Sequence, residues 1–85
     1  MLVIEIYPVG EFWGIAEVLD GKTIERSVCE EFTSKRSALK YGKECARLNN
    51  LLAVVLDENK VIQHGFDYTT AYRPASQLDW YIPAQ

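Results

Sequence analysis

The first third of the chain has the two-residue hydrophobic period that is typical of β-strands. Apolar side chains occupy alternate positions over residues 2–7, and a proline and a glycine follow before the next apolar run begins. Asp20-Gly21 supplies the two positive-φ positions of a type I′ turn, which predicts a hairpin between residues 12–19 and 22–29. We therefore expect a three-stranded antiparallel meander.

From residue 33 the hydrophobic period changes to that of an α-helix. Thr33 or Ser34 can cap a helix that runs to about Asn49, and Asn50 tolerates the left-handed conformation at its exit. On a helical wheel, small and apolar residues fall in one half of the cylinder, which we expect to be buried. These residues are Ala38, Tyr41, Gly42, Cys45, Ala46 and Leu48.

A second hairpin is predicted after the helix. Residues 51–56 and 61–66 are joined by a polar segment in which Asn59 is the expected left-handed residue. The element order is then βββαββ, which favours an α+β fold with the helix on one face of the sheet. We predict a two-layer sandwich with an antiparallel sheet of about five strands, a single domain over residues 1–66 and a C-terminal tail over residues 67–85.

The tight turn also predicts which residues of the first hairpin face each other. Counting outward from the turn places Val18 opposite Thr23 and Glu17 opposite Ile24, on different faces of the sheet. The face of Glu17 also carries Trp13 and Ile15. Because this face is the bulkier one, we expect it to meet the helix.

The other face of the first hairpin is too apolar to be left wholly in water. Its residues are Phe12, Gly14, Ala16, Val18 and Cys29. Aromatic residues of the tail can cover this face, and the alternative is an interface with a partner or with a second copy of the chain. The interface candidates are Phe12, Ala16, Val18, Tyr72, Trp80 and Tyr81.

The stretch from Trp13 to Leu48 resembles the YegP-like families of small bacterial proteins of unknown function. The similarity lies in Trp13 of the second strand, the Asp20-Gly21 turn, and Phe32-Thr33-Ser34-Lys35 followed by Ala38 in a helix. Residues 54–62 look like the closing hairpin of these families. The resemblance implies a βββα or βββαββ fold and no established chemistry, and it does not cover the tail after Phe66.

The order of strand, turn, strand and helix is also similar to the arm-type DNA-binding domains of phage tyrosine recombinases. In those domains the sheet enters the major groove and is basic on its exposed face. The outward side of this hairpin would show Thr23, Glu25 and Ser27. Because an acidic surface repels phosphate, we do not expect DNA binding by the sheet.

The composition is that of one small folded domain. The chain has 85 residues, 48% hydrophobic and 25% charged, which argues against a disordered tail and against a deep catalytic cavity. The longest apolar run, residues 51–56, is far shorter than the ~20 residues of a membrane span, and the N-terminus does not read as a secretory signal. We expect a cytoplasmic protein of bacterial or phage origin.

Positive charge is concentrated in the predicted helix, although the net charge is −3. Residues 35–50 hold five cations and one acid, whereas residues 1–34 hold two cations and seven acids. The candidates for binding a partner or phosphate are Lys35, Arg36, Lys40, Lys43 and Arg47, of which the last four fall within about 60° on a helical wheel. The structural interpretation of these cations is a helix face exposed to solvent. The functional interpretation is a binding surface for phosphate or for an acidic protein surface.

Groups for catalysis or metal binding are sparse. Cys29, Cys45 and His64 are the soft ligand candidates, but they lack a paired motif, and the two cysteines are predicted on different faces of the fold. No sequence context places His64 beside a nucleophile, and no phosphate-binding loop or nucleotide fingerprint occurs. We expect no catalytic residues, no metal and no cofactor.

Together these patterns favour a small non-enzymatic binding module that acts through protein–protein contacts. The sequence does not identify the partner, and a homodimer is one form that such contacts can take. The alternative is a nucleic-acid-associated protein that uses the basic helix face. No association with a membrane is expected.

Overall fold

A computed structural model describes residues 2–20, 22–25, 32–69 and 73–74. Within these ranges the chain forms six strands and one helix, in the order βββαβββ. They are β1 (Leu2–Val9), β2 (Phe12–Leu19), β3 (Lys22–Glu25), α1 (Lys35–Leu48), β4 (Leu52–Leu56), β5 (Ile62–Asp67) and the two-residue β6 (Arg73–Pro74). β6 pairs with β5, so the sheet includes residues that follow residue 66.

The strands form one mixed sheet in the order β3-β2-β1-β4-β5-β6. β1 is antiparallel to β2 but parallel to β4, with Val3 opposite Leu52 and Ile6 opposite Val55. The prediction of an antiparallel sheet is therefore wrong at the centre of the sheet. The helix is the cause, because it carries the chain from β3 to the other side of β1, where β4 enters in the direction of β1.

The first hairpin keeps the predicted register next to its turn and departs from it further out. Asp20 has the positive φ, 50°, that the predicted turn requires, and Val18 lies opposite Thr23 as expected. Glu17 lies opposite Glu25, one residue away from the expected partner. That part of the predicted register is wrong, because a β-bulge inserts one extra residue into β3.

The turn between β4 and β5 is organised by the carboxylate of Asp57. Its Oδ1 atom accepts hydrogen bonds from the backbone N–H groups of Asn59 at 2.8 Å and Val61 at 2.9 Å. Its Oδ2 atom accepts one from Nε2 of Gln63 at 3.1 Å. The left-handed residue is Lys60, with φ of 62°, and not Asn59 as predicted. The carboxylate of Asp57 holds the first residues of the loop in a turn. The left-handed residue that completes the reversal of the chain is therefore the last residue of the loop, Lys60.

Helix α1 is capped at both ends by the residues that the sequence pattern indicates. The Ser34 hydroxyl accepts a hydrogen bond from the backbone N–H of Ser37 at 3.2 Å. At the other end Asn50 has a φ of 55°, and the N–H of Leu51 donates to the carbonyl of Ala46 at 2.8 Å. This is the pairing of a Schellman motif, which satisfies a terminal carbonyl of the helix.

The buried stripe of α1 is narrower than predicted. Ala38, Gly42 and Ala46, spaced four residues apart, are buried against the sheet. Tyr41 is 42% exposed and Leu48 is 64% exposed, so the prediction that both are buried is wrong. Tyr41 and Leu48 lie about 100° or more around the helix axis from Gly42. Because the small residues bring the helix close to the sheet, side chains at that angle point away from the sheet and stay exposed.

α1 packs on one face of the sheet, against β1, β2 and β4. The buried residues of this helix-side core are Ile4, Ile6, Ile15, Ala38, Ala46, Ala53 and Val55. Trp13 packs against the same core. The prediction that the Trp13 and Ile15 face of the first hairpin meets the helix is therefore confirmed.

The opposite face of the sheet is also buried. Ala16 and Val18 are 1% and 0% exposed, Val54 is 0% exposed, and Phe12 at the start of β2 is 41% exposed. Glu5 lies at the centre of this face and is 4% exposed, which makes it the single buried charged residue among those described. The predicted covering by Tyr72, Trp80 and Tyr81 falls on residues outside the described ranges.

Candidate functional site

Helix geometry places four of the predicted cationic residues along one side of α1. Arg36, Lys40, Lys43 and Arg47 occupy positions i, i+4, i+7 and i+11, which form a single ridge. An open groove of about 390 Å³ runs beside this ridge. It is lined by Arg36, Leu39, Lys40, Lys43, Glu44, Arg47 and Tyr68, and we call it the basic groove.

The ridge turns toward β5 and does not point straight away from the sheet. Lys43 is half-buried, and its Nζ atom lies 4.5 Å from the centroid of the Phe66 ring, within the range of a cation–π interaction. Arg36, Lys40 and Arg47 are exposed. The buried residues of α1 include Gly42, and Lys43 directly follows it in the sequence. Lys43 therefore lies close to the sheet, whereas the other three cations remain open to solvent.

Lys35, the fifth predicted candidate, lies outside the basic groove. It is exposed, and its Nζ atom lies 5.7 Å from the centroid of the Trp13 ring on β2. A cation in the first turn of a helix is disfavoured by the helix dipole, and the aromatic ring offsets part of this cost. The Trp13 ring is therefore a structural partner of Lys35.

Glu44 is the one acidic residue among those lining the groove, and Arg47 holds it. Nη2 of Arg47 donates to Oε1 of Glu44 at 2.5 Å, and Nε donates to Oε2 at 3.2 Å. This hydrogen bonding lowers the pKa of Glu44 and raises the pKa of Arg47. Because both side chains are about half exposed, at 54% and 55%, the pair stabilises the fold little, but it occupies Arg47 in the free protein.

Arg36 and Lys40 are the exposed cations of the groove outside the Arg47–Glu44 ion pair, and the charge of Lys40 also lowers the pKa of Glu44 one helical turn away. Neither forms a hydrogen bond or a salt bridge with a residue of the described ranges. They lie one helical turn apart, so their Cβ atoms are about 5–6 Å from each other and their like charges repel. A bound anion at this position gains charge-assisted hydrogen bonds and relieves the repulsion.

Tyr68, directly after β5, is the one residue of the groove lining that lies outside α1. Phe66 and Tyr68 pack against the helix-side core, and His64 lies on the same side because it is opposite Val55. The His64 and Phe66 rings lie 6.5 Å apart. The sequence analysis missed this aromatic row, although the spacing of residues 64, 66 and 68 is the signal for one face of a strand.

The remaining candidates that the structure describes do not line the groove. Burial raises the pKa of the Cys45 thiol, opposed by a hydrogen bond with Tyr41, and Cys29 falls outside the described ranges. In the part of the chain that the structure describes, no group of three or more His, Cys, Asp or Glu side chains could hold a metal. The interface candidates Ala16 and Val18 are buried.

The helix of the described ranges is neither long enough nor apolar enough to cross a membrane.

The chain matches no family model, no curated protein and no solved structure. The resemblance to the YegP-like families therefore stays an expectation from the sequence. The basic groove, with its cationic ridge and with Tyr68 beside it, is the feature from which a function can be argued.

Proposed function

We propose that the chain is a non-enzymatic binding module that takes an acidic segment of a partner protein in the basic groove. The charge imbalance of the groove carries this proposal, because four cations line it and its one carboxylate is already bonded to Arg47. Arg36 and Lys40 are exposed and supply the attraction. Leu39 and Tyr68 supply apolar and aromatic contact, which gives the groove selectivity beyond charge.

A short acidic peptide fits the charge distribution of the whole chain better than a nucleic acid does. The chain carries a net charge of −3, and carboxylates such as Glu11, Asp20 and Glu58 are exposed elsewhere on the surface. A long polyanion extends beyond the groove and meets the negative field of the rest of the protein. A peptide segment of groove length contacts only the cationic region.

The proposal is tested by fluorescence anisotropy with a labelled oligoglutamate peptide and an oligoglutamine peptide of equal length. The oligoglutamate is expected to bind, with an affinity that falls as salt is raised, and the oligoglutamine is not. The double variant Arg36→Gln plus Lys40→Gln is expected to weaken binding by about tenfold or more. The matched control, Lys22→Gln, removes an exposed cation outside the groove and is expected to have little effect.

Two results contradict the proposal. The first is oligoglutamate binding that Arg36→Gln plus Lys40→Gln does not weaken more than Lys22→Gln does. The second is a single-stranded DNA probe that binds more tightly than the oligoglutamate and loses its affinity in the same double variant, since this outcome assigns the groove to nucleic acid.

A further inference from the structure

The ion pair inside the basic groove has the geometry by which an arginine binds the carboxylate of a ligand. Two N–H groups of the Arg47 guanidinium, on Nη2 and Nε, donate to the two carboxylate oxygens of Glu44. A planar guanidinium holds a carboxylate in this two-point manner through charge-assisted hydrogen bonds that fix the orientation of both groups. Glu44 therefore occupies the position on Arg47 that suits a carboxylate of a bound acidic segment.

The pair between Arg47 and Glu44 is weak enough for a ligand to break. The two side chains are 55% and 54% exposed, so water reaches both charges. Exposed ion pairs contribute little to stability, because water solvates the separated charges almost as well. An acidic segment attracted by Arg36 and Lys40 also has a high effective concentration at Arg47, since all three residues line the same groove.

The Glu44 carboxylate lies between two cations of the ridge. Its pKa is lowered first by the hydrogen bond and the charge of Arg47, and then by the charge of Lys40. Lys40 precedes Glu44 by four residues, and side chains at this spacing are neighbours on a helix surface. A Glu44 carboxylate that is displaced from Arg47 therefore keeps a favourable charge beside it.

From this geometry we infer that Arg47 is a third ligand-binding cation of the groove and that Glu44 is its internal competitor. One carboxylate of the bound segment replaces Glu44 on Arg47, while Arg36 and Lys40 contact further acidic side chains. A segment with a single carboxylate gains little by this exchange, because one ion pair replaces another, so the groove selects segments with several acidic residues. This inference rests on the proposed function and adds to it the residues that set its selectivity.

Removing the charge of Glu44 tests the competition, with the labelled oligoglutamate as the probe. Glu44→Gln is expected to tighten binding about two- to fivefold, because the ligand no longer has to break the ion pair. Glu58→Gln is the matched control, since it removes an exposed carboxylate outside the groove and is expected to have little effect. Equal effects of the two variants overturn the inference and leave the proposed function standing, whereas no binding to the wild type or to Glu44→Gln overturns both.

A double-mutant cycle with Arg47→Gln separates the exchange of partners from a general effect of charge. Arg47→Gln is expected to weaken oligoglutamate binding about two- to fivefold more in the Glu44→Gln background than in the wild type. The reason is that Arg47 is free for the ligand only in that background, whereas in the wild type its ion pair has to break first. An ion pair that persists in the complex makes the two losses equal, and equal losses overturn the inference.

Isotope-filtered nuclear Overhauser effects on the wild-type protein test the exchange without any substitution, so the inference stays testable if a variant does not fold. The sample is isotope-labelled protein saturated with unlabelled oligoglutamate. The Nε proton of Arg47 is expected to show contacts with the γ protons of the peptide glutamates and to lose its contacts with the γ protons of Glu44. An Nε proton that keeps its contacts with Glu44 and gains none from the peptide overturns the inference.

Discussion

The backbone of Gly42 lies so close to Ile6 that a Cβ atom added at Gly42 would be 2.5 Å from Cδ1 of Ile6 and 2.7 Å from its Cγ1. Ile6 is fully buried at the centre of the sheet, so it cannot move aside without disturbing the core. This contact fixes how closely α1 approaches β1.

The first prediction concerns this contact. Gly42→Ala is expected to lower the free energy of unfolding, although alanine is a better helix former than glycine by about 1 kcal/mol. Overpacking of a core costs about 1–3 kcal/mol, so the steric effect outweighs the helix propensity. Urea denaturation followed by circular dichroism measures the difference.

The double variant Gly42→Ala plus Ile6→Val is the control for this prediction, because valine lacks Cδ1. It is expected to lose less stability than the two single variants added together, which shows that the two residues are coupled. A Gly42→Ala variant that is more stable than the wild type contradicts the close approach of helix and sheet.

The second prediction concerns the turn between β4 and β5. Asp57→Ala removes the acceptor for two backbone N–H groups and one side-chain amide, and is expected to cost about 2 kcal/mol of stability. Glu58→Ala is the control, because Glu58 is exposed in the same loop. Thermal unfolding of both variants measures the effect, and equal melting temperatures argue against a structural role for the Asp57 carboxylate.

Local signals predicted those parts of the fold that neighbouring residues determine. The positive φ of Asp20, the Ser34 cap and the left-handed Asn50 each depend on a few adjacent residues. The parallel pairing of β1 with β4 depends on contacts between distant segments, and no local pattern specifies it. The β-bulge near Glu17 likewise left no signal in the alternation of apolar residues.

Only the helix side of the candidate site could be predicted from the sequence. The helical period placed Arg36 and Lys40 on one ridge, because a single helix fixes that relation. The place of Tyr68 beside the ridge could not be predicted, since Tyr68 reaches the groove through the pairing of β5 with β4. For the same reason the sequence did not show that Lys43 lies over Phe66.

The third prediction concerns the ion pair inside the groove. The carboxyl of Glu44 is expected to titrate with a pKa below its ordinary value, chiefly because of its hydrogen bonds from Arg47. Arg47→Gln is expected to return this pKa toward the ordinary value, and Lys40→Gln to raise it less, since Lys40 acts only through its charge. Carbon-detected NMR titration of the glutamate side chains measures both.

The sign of the accompanying stability effect follows from the lowered pKa of Glu44. The stabilisation by the pair is present above the pKa of the unfolded chain and is lost as the pH falls through the folded-state pKa. Because both side chains are exposed, this effect on stability is expected to be small. An unchanged Glu44 pKa in Arg47→Gln contradicts the pairing.

The fourth prediction concerns the reactivity of Cys45. Burial is the main cause that raises the pKa of its thiol, partly opposed by the hydrogen bond with Tyr41 and reinforced by Glu17 and Glu44. Because the thiolate is the reactive form, Cys45 is expected to react with iodoacetamide more slowly than the same residue in the unfolded chain at mildly alkaline pH. The measurement uses a Cys29→Ser background, so that one thiol is followed.

The pH dependence of this reaction has a defined direction. The reaction midpoint in the folded protein is expected above that of the unfolded chain, and Tyr41→Phe is expected to raise it further. The corresponding contribution to stability is present below the unfolded pKa and is lost as the pH rises through the folded-state pKa. Equal midpoints for folded and unfolded protein contradict the burial of this thiol.

The most direct test of the central claim is a map of amide chemical shifts in the nitrogen-15-labelled protein during titration with the oligoglutamate peptide. If acidic segments bind in the basic groove, the largest changes occur at Arg36, Leu39, Lys40 and Tyr68, and the loop from Asp57 to Val61 changes little. Changes centred on that loop or on the first hairpin, or no changes at a peptide concentration that saturates anisotropy, contradict the claim.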